Sequence, residues 1–485
     1  MSNLSELLPT GGGQNAVDFV ASGTLSSGQV VILKSDGTVE AVGTTAVPDS
    51  AGTPVIFENA AVLYTAVTYD VTAQKIVIAY SDTGNSSYGT AVVGTVSGTS
   101  ISFGTPVVFD ATSVSWIWAT YDVNTGKVVV SYQTAASNYG LSIIGTVSGT
   151  SISFGTSVVF RSATTTRIAS VYDVNAQKVV IAYTDGGSPD SWGTAIVGTV
   201  SGTSISFGSS TVFNYGASYN SASAYDTANQ KVIIAYMNSN NSNYGTAIVG
   251  TVSGTSISFG SATIFNSATT QEIACSYDIN AAKILISYRD GGNSNSGTAI
   301  VGTVSGTSIS FGTAAVFSSG NMFWTESAYD VSAQKIVIAY KNNSNSNYGT
   351  ALSATISGTS VSFGTPVVFE DSTIDYISVA YDSTAQKVII AYKDTGNSNY
   401  GTSVVWTTSY DLSNYTDFIG ITAEAISDTA TGAVNVYGGI NEAQTGLTIG
   451  SDYYVQADGS LSTTASDVKV GQAISATTIN MMDLT

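Results

Sequence analysis

Across residues 47–411 the apolar positions come in short consecutive runs, not on a 3.6-residue stripe. Residues 75–80 read KIVIAY and residues 231–236 read KVIIAY, each opened by a lysine and bounded by polar turns. Runs of this kind are strands covered on both faces. They belong to a larger repeat with four strand-like runs per copy. In the third copy these are RIASVYD (167–173), KVVIAY (178–183), WGTAIVGTVSG (192–202) and TSISFGSSTVF (203–213), labelled strands A, B, C and D. The dipeptide Tyr-Asp marks the period at Tyr69, Tyr121, Tyr172, Tyr225, Tyr277, Tyr329 and Tyr381, with spacings of 52, 51, 53, 52, 52 and 52. Four short strands at such a period predict a seven-bladed β-propeller with four-stranded blades.

Counting each element predicts how the ring closes. Tyr-Asp occurs seven times, whereas SGTS(I/V)SFG occurs six times, starting at Ser97, Ser148, Ser201, Ser253, Ser305 and Ser357. The last copy lacks a D strand after YGTSVVWTTS (400–409). The missing piece stands at the other end, where AGTPVIF (51–57) matches FGTPVVF at 103–109 and 363–369. The expectation is an N/C-terminal strand clasp.

Some connections barely vary. Every A–B connection has Asp, four residues, then Lys, from Asp70/Lys75 to Asp382/Lys387. Asp capping a tight turn, with Lys paired to it, accounts for the pattern as scaffold. The C–D connection VSGTS is equally uniform. The D–A and B–C connections, which alternate strand direction places together on the opposite face, vary freely. They or their junctions carry Trp116, Trp118, Trp192 and Trp324 and all three arginines, Arg161, Arg167 and Arg289. Aromatics and arginine anchor recognition surfaces. The expected ligand face is therefore Tyr64, Trp116, Trp118, Arg167, Trp192, Tyr219, Arg289, Phe323, Trp324 and Tyr376. The competing reading is that these side chains fill a tapering channel. Tyr88, Tyr139, Tyr244, Tyr348 and Tyr400 recur at one position and read as packing.

Composition removes several chemistries. The chain has no His and one Cys, Cys275, which excludes His- and Cys-based metal sites, internal disulfides and Ser-His-Asp catalysis. A net charge of −19 argues against nucleic acid. No apolar run is long enough for a membrane-spanning helix, and MSNLSELLPTGGGQ has no signal-peptide pattern. The loop aspartates Asp82, Asp185, Asp290 and Asp394 stand singly, which suits polar turns better than Ca²⁺. The carboxylates Glu272, Asp290, Glu326, Glu370, Asp371 and Asp375 are scattered, and nothing in the sequence joins two of them. The expectation is a non-enzymatic protein with no cofactor.

Residues 1–46 plus 412–485 read as one discontinuous β-domain into which the propeller is inserted. Asp36-Gly37 and Asp458-Gly459 are hairpin signals. The segment GQVVILKSDGTVEAV (28–42), together with DFIGITAEAISDTATGAVNVYGGI and GLTIGSDYYVQADGSLS, resembles the small β-barrel of tailed-phage capsid-decoration and tail-fibre proteins. The resemblance implies a virion surface protein held by other capsid or tail proteins. It also implies a homo-oligomer, with a trimer among its possible forms. Both chain crossings fall on the uniform face, so the variable face would point outward, as in a display protein that adheres to a host glycan or receptor. Two other readings stand beside it: a purely structural decoration protein without ligand, and a free lectin-like glycan-binding propeller.

Overall fold

The computed structural model describes residues 15–413, 415–456 and 458–482. The opening segment read above for a signal peptide lies outside the described residues. The described chain is all-β, with helix limited to three-residue 3-10 turns such as Thr83–Asn85. It divides into two compact units, Pro48–Ser409 and the terminal segments up to Val47 and from Tyr410.

In the central unit each B strand is buried almost throughout, as Lys75–Asp82 illustrates. Tyr80, Tyr132, Tyr183, Tyr236, Tyr288, Tyr340 and Tyr392 hold the same place in the seven B strands, and none is more than 1% exposed. Each stacks on the phenylalanine that ends the D strand of the preceding repeat, for example Phe265–Tyr288 with ring centroids 5.2 Å apart. That phenylalanine lies against the glycine opening a neighbouring C strand. A Cβ added to Gly245 would stand 2.5 Å from the Phe265 ring, so the position accepts only glycine without repacking.

The D–A connection differs from expectation. In six of the seven repeats it is no loop but the middle of a 16-residue strand, such as Val107–Asp122. The first part of that strand pairs with the C strand of the preceding repeat (Val107↔Ala91) and the last part with its own B strand (Ala119↔Val130). Extended backbone persists because each part has its own hydrogen-bonding neighbour. In the third copy Val158–Arg161 and Thr165–Asp173 are separate strands.

The N-terminal segment pairs with the last C strand, Tyr400–Thr407. Ser50–Ala51 pairs with Thr407 and Trp406, and Val55–Asp70 begins opposite Ser403. Local contacts there reproduce those inside the series. Gly52 N–H donates to Val405 O at 2.8 Å as Gly104 N–H does to Val93 O. A Cβ on Gly52 would stand 2.0 Å from Thr99 O, as one on Gly104 would stand 1.9 Å from Thr150 O. Tyr69 Oη donates to Thr384 Oγ1 at 2.7 Å, and Tyr121 Oη makes the same bond to Thr72 of the repeat before it. Each A strand lies against the next, and the first, Val55–Asp70, also lies against the last, Val367–Asp382.

The uniform turns are caps, with one correction. All seven Tyr-Asp aspartates are buried, and each accepts from backbone N–H groups of its turn, as Asp226 does from Asn229 at 2.9 Å. The Asp–Lys ion pair is not formed: none of these lysines reaches its aspartate, and Lys335 donates to Ser409 instead. A buried carboxylate already satisfied by amides leaves the lysine in water at little cost.

The terminal unit is also not one continuous barrel sheet. Its described strands form a two-stranded pairing of Thr44–Val47 with Tyr410–Ser413 and two five-stranded sheets. One is built on Ala16–Val20, Thr431–Val436, Phe418–Thr422, Val30–Leu33 and Val39–Ala41, and the other on strands from Ile440 to Met481. Val30, Ile32 and Ile421 of the first pack with Val455, Val470 and Met481 of the second. The aspartates of both Asp-Gly signals cap their turns, Asp36 to Thr38 and Asp458 to Ser460.

Candidate functional site

Every A strand of the central unit is interrupted by a β-bulge at one level. Leu63 faces Ser81 and Ala66 faces Ala79, which leaves Tyr64 and Thr65 opposite a single residue. The same register shift falls between Ser115/Trp118, Thr166/Ala169, Tyr219/Ala222, Gln271/Ala274, Phe323/Glu326 and Asp375/Ser378. The first bulged residue is left-handed in all seven: Tyr64, Trp116, Arg167, Asn220, Glu272, Trp324 and Tyr376, with φ between 47° and 54°. None is glycine. A left-handed conformation costs an ordinary residue about 1–2 kcal/mol, and such strain gathers at sites that recognise ligands.

All seven line one cavity of about 240 Å³. Four are aromatic and form an unbroken arc. Trp324 lies 4.6 Å from Tyr376, Tyr376 5.1 Å from Tyr64, and Tyr64 5.4 Å from Trp116. Arg167, Asn220 and Glu272 complete the ring. The Arg167 guanidinium sits over Trp116 at 5.2 Å and over Tyr219 at 4.7 Å, and donates to Asn220 Oδ1 at 3.0 Å. Glu272 accepts from the Trp324 backbone N–H at 3.1 Å, while Trp324 Nε1 donates to Asp375 at 3.1 Å. Asp375 is clamped by Lys341 at 2.9 Å and Lys393 at 3.5 Å. The aromatic wall is thus fixed from behind and half-exposed in front.

A second cavity of about 260 Å³ lies further along the A strands, between Ala66 and Ala380. Trp118, Glu326 and Ser378 border both cavities. Trp118 and Glu326 occupy the A-strand position that holds Ala66, Ala169, Ala222, Ala274 and Ser378 in the other copies. Two large side chains therefore constrict the passage.

Burial sets the charge states. It pushes the Glu326 carboxyl up to about 8, with the neighbouring Glu272 adding to the rise. Glu272 is raised less, because burial is opposed by the Trp324 amide and by Arg289, Arg167 and Lys341. Burial pushes Tyr376 up to about 12 and raises Tyr64, so both present neutral hydroxyls. It also lowers Arg167, which stays a cation.

The predicted residues fall into three groups. Tyr64, Trp116, Trp118, Arg167, Trp324 and Tyr376 line the first cavity. Tyr219, Phe323 and Arg289 stand just outside it. Tyr219 and Phe323 precede the bulged residues, and the Arg289 guanidinium lies 4.0 Å over Phe323 while donating to Gln271 at 2.7 Å and Asn321 at 3.1 Å. Trp192 lines neither cavity and packs edge-on against exposed Tyr215 at 5.1 Å. Asn220 was missed, and Glu272 and Glu326 were read only as scattered acids, although they share one cavity. A signal for the ring existed, since each member stands six residues before its Tyr-Asp aspartate.

The loop aspartates serve turns. Asp82 accepts from Asn85 N–H, Asp185 from Gly187 N–H and Arg161 Nε, Asp290 from Gly292 N–H, and Asp394 from Asn397 N–H.

No protein family and no curated protein sequence matches the chain. Among solved structures it is similar to the BP39L lectin from Burkholderia pseudomallei, with a TM-score of 0.54 and 8% identity over 73% of this chain and 97% of that one. Weaker likenesses are to the SapL1 lectin in complex with alpha methyl fucoside (TM-score 0.40, 11% identity, 64% and 97% covered) and to Chaetomium thermophilum Sqt1 bound to the N-terminus of ribosomal protein L10 (0.45, 9%, 75% and 90%). The likeness to BP39L gives the class of fold alone: the chain is an all-β protein built as a β-propeller.

Proposed function

We propose that the central unit is a seven-bladed, strand-clasped propeller that binds carbohydrate non-enzymatically, one sugar chain end entering the mouth of its central channel. The observation that carries this is the ring of seven non-glycine residues held left-handed around one cavity, four of them a continuous aromatic arc. Aromatic faces stack on sugar rings, and the Asn220, Glu272 and Tyr hydroxyl groups supply directional hydrogen bonds. The lectin fold of BP39L is a second support.

A glycan array is the direct test. Trp116→Ala and Trp324→Ala should each weaken binding by about 2 kcal/mol or more while the folded chain persists. Variants that bind the array like the unmodified protein would place recognition elsewhere, at Trp192 and Tyr215 first. The terminal unit as a virion attachment module, with host adhesion as the purpose of binding, rests on the motif resemblance alone. Recovery of the chain from purified phage particles is its test.

A further inference from the structure

Arg167, Glu272 and Glu326 are the acidic and basic side chains of the first cavity, and their partners differ. Arg167 is sandwiched by Trp116 and Tyr219 and bound to Asn220. Glu272 is bonded to the Trp324 amide and lies in the field of Arg167, Arg289 and Lys341. Glu326 has only the Ser327 amide, and among the described residues no cation pairs with it. It stands where five of the other six copies have alanine or serine, at the floor of a cavity whose wall is four aromatic rings.

Arginine and glutamate cancel in the upper ring, so an ionised Glu326 leaves one uncompensated negative charge under an aromatic arc. Both features attract the same chemistry, because a cation gains from π-faces and from a desolvated carboxylate together. A neutral hydroxyl would use neither fully.

We propose that the channel mouth selects glycans through a free amino group, an amino sugar whose ammonium rests against the Glu326 carboxylate within the Tyr64–Trp116–Trp324–Tyr376 arc. This rests on the carbohydrate reading of the same site. The ionisable groups around Glu326 are Glu272 and Cys275 on the preceding A strand and Arg167 across the cavity. Asp375 on the following A strand is already tied to Lys341 and Lys393. With the carboxyl held up to about 8, a ligand that enters already as an ammonium, as an amino sugar does below neutrality at about pH 6, displaces the Glu326 proton to solvent.

Calorimetry at about pH 6, where the sugar amines are ammonium and Glu326 is protonated, with a tetramer of glucosamine and its fully N-acetylated counterpart tests this. The free-amine tetramer should bind about tenfold tighter, with protons released to the buffer. Glu326→Gln, nearly isosteric, should abolish the release and bring the two affinities within about twofold. Equal affinities in the unmodified protein, binding of only the N-acetylated tetramer, or a preference that survives in Glu326→Gln would overturn the amine inference and leave the carbohydrate site standing. Binding of neither tetramer, with other glycans held on the array, would do the same. Binding of no glycan at all would overturn the carbohydrate reading itself.

Discussion

Glu326 couples the channel to pH through the folded state alone. Its carboxyl is raised from the ordinary value to about 8 by burial, so between roughly pH 5 and 8 the native chain holds a proton that the unfolded chain has lost. The native state then binds more protons, and stability falls as pH rises through that window. Raised Glu272, Glu58 and Glu370 add smaller slopes of the same sign. Glu326→Gln should flatten most of the fall, melting above the unmodified protein at pH 8 and close to it at pH 5. Thermal melts across that range check this, and parallel curves for the two proteins would mean that Glu326 is solvated and ionised throughout. The ring residues around it carry a different tension. Seven bulky or polar side chains hold a backbone conformation that glycine would adopt without strain, so their identity reflects what the cavity needs more than what the strand prefers.

At the scale of the element, the A–B hairpin shows how a repeated motif divides into essential and idle parts. Asp226 is 1% exposed and accepts from both the backbone and the side-chain amide of Asn229, at 2.9 and 2.8 Å. Removing it takes away the buried, charged acceptor that holds the exposed turn at 227–230. Asp226→Ala should cost about 1–3 kcal/mol in chemical denaturation. Lys231→Ala, on the far side of the same hairpin, should change stability by no more than about 0.5 kcal/mol, because no ion pair is lost. Comparable losses for the two would mean that the lysine does pair with the turn in solution.

The whole molecule depends on whether the junction of first and last repeats is as firm as the others. Phe57 stacks on Tyr80 at 5.2 Å and lies against Gly401 of the last repeat, as Phe265 stacks on Tyr288 at 5.2 Å and lies against Gly245. Phe57→Ala and Phe265→Ala should therefore destabilise alike, by about 3–5 kcal/mol each, in equilibrium unfolding. A much smaller effect at Phe57 would show an open ring whose terminal strand is loosely held. This junction also has contacts of its own. Asp49 accepts from Ser409 N–H at 2.6 Å and Ser353 N–H at 3.0 Å, and a Cβ on Gly364 would meet Ser353 Oγ at 2.7 Å and the Asp49 carboxylate at 2.9 Å, where the glycines of the other copies face a threonine carbonyl.

What the sequence determined alone is the strand inventory and its order. Consecutive apolar runs such as KVIIAY require cover on both faces, and a motif present six times among seven copies, with its remnant at 51–57, requires the chain ends to meet. These features are legible because they repeat, and each copy answers to the same neighbours. The division of the terminal unit's described strands into separate sheets was not legible, since they carry no period that says which edge pairs with which. The candidate site was legible only as a set of residue types. A two-for-one bulge breaks the in-out alternation of a strand, so residue spacing no longer tells which side chains share a face. Tertiary structure decided that Tyr64, Trp116, Trp324 and Tyr376 form one arc. It also separated Trp192 from them and set Glu326 beneath them without a counter-charge, because each A strand packs against the next and the first against the last, which brings residues 52 positions apart into contact.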